Sequence, residues 1–93
     1  MIESFKDRRT RDLFEGVRIE RKWRAISTRA LARLQMLNAA ETIHDLYNPP
    51  SNRLEALAGD RAGSYSIRIT RRWRICFRFE GGNAHDVEIV DYH

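Results

Sequence analysis

Two prolines, Pro49 and Pro50, separate segments with different hydrophobic periods, and this change of period limits the possible folds more than any other feature of the chain. Before them, Trp23, Ile26, Ala30, Leu34 and Leu37 recur at spacings of three and four, which places them on one helical stripe running from Trp23 to about Ala39. After them the period is two. Tyr65, Ile67 and Ile69 alternate with Ser64, Ser66 and Arg68, and Trp73, Ile75, Phe77 and Phe79 alternate with Arg74, Cys76, Arg78 and Glu80. Val87 and Ile89 alternate with Glu88 and Val90. Each run predicts a strand with one apolar face. Thr70-Arg71-Arg72 and Gly81-Gly82-Asn83 connect them, and the second has the glycine that a tight hairpin needs. Upstream, Ile2 to Phe5 reads as a short strand. Asp7 caps a short helix through Phe14 that Gly16 ends, and Glu41 to Leu46 adds a helical turn before the prolines stop it. The expected order is β-α-α-β-β-β: an α+β fold in which helices pack on one face of a small antiparallel sheet. No repeat, low-complexity tract or linker divides residues 1–93, so one domain is expected.

The strand register has a consequence for charge. Facing residues of an antiparallel hairpin point to the same side. Keeping Trp73, Ile75 and Phe77 over Ile69, Ile67 and Tyr65 pairs Ile69 with Trp73 and sets Arg68 opposite Arg74 on the other face. In the next hairpin the same requirement pairs Phe79 with His85, Arg78 with Asp86 and Arg74 with Val90, and brings Arg72 near Tyr92. Opposed like charges cost from a few tenths to about 1 kcal/mol, so relieving the Arg68–Arg74 pair is expected to leave stability unchanged or slightly raised. Either Glu88 or Glu55 supplies the compensating anion from within, or a phosphate backbone crosses the sheet there. A further basic row, Lys22, Arg29 and Arg33, runs beside the helical stripe and reads first as a solvated flank.

Lys and Arg together number 17 against 13 Asp and Glu, giving a net charge of +4. Lys6 and Lys22 are the only lysines. An arginine excess favours a phosphate-bearing partner, because the guanidinium fork matches phosphate geometry. Cys76 is the single cysteine, so no intrachain disulfide is possible. With no apolar run of membrane-spanning length and no signal segment near Met1, a cytoplasmic protein without a membrane partner is expected. His44, His85 and His93 lack metal-ligand spacing, and no metal or other cofactor is expected. Gly59 and Gly63 flank a turn and form no phosphate loop.

The sequence closes on Asp91-Tyr92-His93, directly after the last predicted strand. Histidine is the side chain best suited to moving protons near neutral pH, and tyrosine can donate a hydrogen bond or stack on a base. This ending, with Asn52-Arg53-Leu54-Glu55-Ala56-Leu57-Ala58-Gly59-Asp60-Arg61, Ser66-Ile67-Arg68, Trp73-Arg74-Ile75 and the opening Met1-Ile2-Glu3-Ser4-Phe5, resembles the HigB-type toxins of the RelE/ParE superfamily. The similarity spans the chain. It implies a RelE-like fold and a ribosome-dependent endoribonuclease that needs no metal, cleaving translated messenger RNA and so inhibiting translation and growth. It also implies neutralisation by a HigA-type helix-turn-helix antitoxin, with operator DNA reached only through the antitoxin complex. By the same resemblance, Arg74, Asp91, Tyr92 and His93 match the active-site pattern. Arg74 would stabilise charge, His93 act as acid or base, Tyr92 stack or donate a proton, and Asp91 orient His93. Arg68, Arg72 and Arg61 would hold RNA. Some members carry a histidine where Glu55 stands and a lysine where Ala58 stands; Glu55 then either replaces that histidine as a base or only pairs with an arginine. Two other readings suit the same fold. One is a ParE-like poison of DNA gyrase, a class that generally lacks the terminal cluster. The other is a non-catalytic RNA-binding module with Tyr92 as its platform.

Overall fold

The change of period marks the boundary between a helical layer and a sheet. The computed structural model describes residues 1–59 and 63–92. Two α-helices, α1 (Arg8–Glu15) and α2 (Ser27–Ala39), precede four strands: β1 (Glu55–Ala56), β2 (Ser64–Arg68), β3 (Trp73–Glu80) and β4 (Asn83–Asp91). The strands lie in the order β1-β2-β3-β4 and pair antiparallel. Leu13, Ala30, Leu34 and Leu37 from the helices meet Ile67, Ile69, Ile75, Phe77, Val87 and Ile89 from the sheet in one buried core. Among the described residues no helix is long and apolar enough to cross a membrane.

Helix α1 starts and stops where its sequence says. The Asp7 carboxylate accepts from the Thr10 backbone N–H at 2.7 Å, and Gly16 closes the helix at φ 73°. The long predicted helix is in fact two pieces. Arg21–Ile26 winds as a 3₁₀ turn, and α2 begins only at Ser27, because Ile26 at φ −108° and ψ 0° leaves the helical region. The 3₁₀ turn delivers Trp23 into the core, edge-on to Trp73 with ring centres 6.3 Å apart. The turn expected at Glu41 to Leu46 is a 3₁₀ turn at Ile43–Tyr47. Asp45 caps it by accepting from the N–H groups of Glu41 (2.9 Å) and Thr42 (3.1 Å), which hold its carboxyl below the usual range. Pro50–Asn52 forms a last 3₁₀ turn, in which buried Asn52 donates to the Leu46 carbonyl at 3.1 Å.

The sheet corrects three expectations. Ile2 to Phe5 is not a regular strand; it meets β4 through two isolated parallel bridges, Ile2 to Ala84 and Phe5 to Val87. Strand β1 was not expected, since two residues are too few to show alternation; it pairs Glu55 with Ser66 and Ala56 with Tyr65. The β3–β4 register agrees with the expected one only near Arg74. Arg74 faces Val90 and Ile75 faces Ile89, but Arg78 faces His85 and Phe79 faces Ala84, one residue off. The turn is the cause. Gly81 and Gly82 alone form it, at φ 59° and 79°, the geometry a two-residue hairpin demands. The extra residue is absorbed in a bulge near Asp86, which takes φ 54°. The bulge keeps Ala84, Val87 and Ile89 all in the core. Asp86 still comes within 3.8 Å of Arg78. The β2–β3 register is the expected one, with Arg68 opposite Arg74.

Candidate active site

Arg74 lies in the middle of the sheet, on the face turned away from the helices, because its neighbours Trp73 and Ile75 fill the core. Its side chain is only 7% exposed. A buried guanidinium needs acceptors, and β2 together with the turn that precedes β1 provides three. Nε donates to Ser66 Oγ at 2.8 Å, and Nη2 donates to the carbonyls of Ser66 (3.2 Å) and Arg53 (2.5 Å). Arg53 supplies its carbonyl from a left-handed conformation at φ 45°. Glu55 Oε1 stands 3.8 Å from Nη1, too far for a hydrogen bond but close enough for ion pairing. The Tyr92 ring covers the guanidinium, with its centre 5.5 Å from Cζ. Of the two internal anions weighed from the sequence, Glu55 is therefore the one beside Arg74. Glu88 instead pairs with Lys6 at 3.3 Å.

The end of β4 is fixed by a second arginine. Asp91 pairs with Trp73, one position past the Val90–Arg74 pair, so Asp91 and Tyr92 fall on opposite sides of the sheet. The Asp91 carboxylate receives the Arg72 fork at 2.8 and 3.1 Å, which raises the Arg72 pKa above its ordinary value. Arg72 itself lies over the Trp73 ring at 4.9 Å, and its carbonyl accepts from the Tyr92 N–H. These contacts set Tyr92 on the Arg74 side.

Of the residues singled out in the sequence, Arg74, Glu55 and Tyr92 are brought together at one point. Asp91 and Arg72 form the adjoining clamp, and Arg68 faces Arg74 across the ladder. Arg61 and His93 lie outside the described residues. Sequence reasoning missed Ser66 and the Arg53 carbonyl. Alternation does place Ser66 on the Arg74 face, whereas nothing in the sequence marks Arg53 as left-handed. The assembly offers a fixed cation with an aromatic ring against it and a carboxylate beside it. Such a set suits a phosphodiester and an adjoining base. Among the described residues, no group of three or more His, Cys, Asp or Glu side chains could hold a metal ion.

Residues 3–93 match the model of a family described as RelE-like toxins of the type II toxin–antitoxin system HigB. The chain belongs to the HigB-like toxin family. An antitoxin partner comes with that membership. Among its HigB-like relatives, endoribonuclease HigB of Proteus vulgaris is 38% identical over 94 residues, covering 100% of both chains. Toxin HigB-1 of Vibrio cholerae is 35% identical over 85 residues, covering 90% of each. A solved YoeB/ParE toxin from Agrobacterium tumefaciens aligns with 100% of this chain and 99% of its own at a TM-score of 0.50. At 22% identity that likeness speaks for the fold, which is the expected α+β arrangement of a HigB-like toxin.

Proposed function

We propose that this toxin is an endoribonuclease that cuts messenger RNA during translation, by attack of a ribose 2′-hydroxyl on the adjacent phosphorus. A base takes the 2′-hydroxyl proton, the O2′–P bond forms, the P–O5′ bond breaks, and an acid protonates the leaving 5′-oxygen. Arg74 supports this reading most directly. Three of its donors are tied to neutral acceptors, so the guanidinium is fixed in place with its charge intact, and among the described residues Nη1 has no hydrogen-bonded partner. A cation held rigidly before the reaction stabilises the charge that builds on the phosphorane without reorganising. His93 serves as acid or base with Asp91 orienting it, Tyr92 stacks on a base or donates a proton, and Glu55 is the second candidate base. Arg68, Arg72 and Arg61 hold RNA. The partner that silences it is a HigA-type helix-turn-helix antitoxin, and the site of action is the cytoplasmic ribosome.

The test is a reconstituted translation reaction carrying one defined message. The toxin is expected to cut within the coding region during translation and to leave the same RNA nearly intact without ribosomes. His93→Gln is expected to lower the rate about 10²–10⁴-fold, the usual contribution of a positioned acid or base, with antitoxin binding unchanged. Equal cutting of free RNA would remove the ribosome from the proposal. Intact transcripts accompanied by altered DNA supercoiling would replace it with gyrase poisoning.

A further inference from the structure

Arg29 and Arg33, which the sequence leaves as a solvated helix flank, open onto a groove of about 430 Å³ between α2, the turn after β2 and residues 51–53. Five arginines line it, Arg29, Arg33, Arg53, Arg68 and Arg71, together with Ser51, Ile69 and Thr70. Among the described residues no carboxylate lines this groove, and none of the five arginines pairs with a described carboxylate. Arg33 is already set in position. Its Nε donates to the Arg68 carbonyl at 3.2 Å and its Nη2 to Ser51 Oγ at 3.2 Å. Both acceptors are neutral, so the positive charge is held in place but not cancelled. Burial and the neighbouring Arg29 charge lower the Arg33 pKa, as expected where like charges gather.

Five like charges around one groove, none paired with a described carboxylate, repel each other in the free protein. Solubility alone would favour spreading them over the surface. We propose that the groove is the binding track for the sugar-phosphate backbone of the same RNA strand that is cut at Arg74. The inference rests on the reading that the toxin acts on RNA. Two residues make groove and site continuous: Arg68 faces Arg74 across the β2–β3 ladder, and the Arg53 carbonyl accepts from Arg74 Nη2. A strand with one phosphate at Arg74 lays its neighbours over Arg53 and Arg68, and then over Arg71, Arg29 and Arg33. No aromatic side chain is among the described lining residues, so the groove offers bases no ring to stack on, and its guanidinium forks suit phosphate.

The probe is a 2′-O-methyl RNA dodecamer, which has no free 2′-hydroxyl and cannot be cut by this chemistry. Its binding to the whole toxin is followed by fluorescence anisotropy over a salt series. Arg29→Gln with Arg71→Gln is the test variant, since both side chains are exposed; circular dichroism checks its fold. Affinity is expected to fall about 10-fold, and the slope of log K against log salt to flatten by about 1.4, at ~0.7 per lost contact on single-stranded RNA. Arg8→Gln with Arg11→Gln removes the same charge from exposed positions on α1 and is expected to change affinity less than about two-fold. Equal losses from both pairs, or none from the groove pair, overturn the proposal. Retained RNA affinity with lost antitoxin binding overturns it too, and assigns the groove to a protein. Because the dodecamer is not cut, normal groove behaviour without cleavage of translated messages would refute the endoribonuclease reading and leave the groove standing.

Discussion

At the scale of single residues, Arg74 reverses what its register suggested. Opposed to Arg68, it reads as a local cost, and its removal as neutral or mildly stabilising. The bonds to Ser66 and Arg53 indicate the opposite. Taking the side chain away leaves buried acceptors without donors, and hydrogen bonds to charged groups are worth about 1.5–3 kcal/mol. Arg74→Ala is therefore expected to lower the melting temperature, at roughly 4–8 °C per kcal/mol for a domain of this size. Arg74→Lys keeps the charge but loses the planar fork that serves three acceptors at once. Both variants are expected to slow cleavage on the order of 10²–10³-fold, by analogy with loss of an oxyanion donor. Initial rates in the translating system and thermal unfolding measure the two effects. Full activity in a folded Arg74→Lys toxin would end its role as a shaped charge stabiliser. The sequence made Arg74, Tyr92 and Glu55 legible as separate candidates. It did not reveal that the Arg53 carbonyl completes the Arg74 cage, because a left-handed non-glycine residue leaves no trace in residue type.

Among the elements, β4 shows how an exposed strand edge is managed. On one side it pairs with β3; on the other its N–H and C=O groups would invite a foreign strand if they were left uncovered. Residues 2–5 cover the first part through two parallel bridges, and Thr10 of α1 covers the next, its Oγ1 accepting from the Ile89 N–H at 3.2 Å. Thr10 is fully buried. Thr10→Val keeps the shape and leaves that N–H without its acceptor, at about 1–3 kcal/mol. The urea midpoint is expected to fall with the m-value unchanged; an unchanged midpoint would mean that water reaches the strand edge. Period-2 alternation made β2, β3 and β4 and their faces readable. It could not place the bulge at Asp86, because alternation reports which face a residue takes and not how many residues a turn consumes. The 3₁₀ turn at Arg21–Ile26 was hidden for a similar reason: over six residues its period is close to that of an α-helix.

For the whole molecule, the element order and the two-layer packing followed from periodicity, because each element has only one apolar side to bury. The position of β4 has an effect beyond geometry. It follows the other described elements, yet it lies between β3 and residues 2–5 and contributes Ala84, Val87 and Ile89 to the core. A chain ending at Gly82 is expected to show no cooperative thermal transition, and a sharp melt from that fragment would refute this. A ribosome adding about 5–20 residues per second thus carries an unfinished sheet until its last strand is out. Tyr92 reaches Arg74 only when that strand docks. Chains abandoned before β4 is made would then have no cutting activity, so toxicity would depend on the number of chains that carry the docked strand and not on how often translation begins.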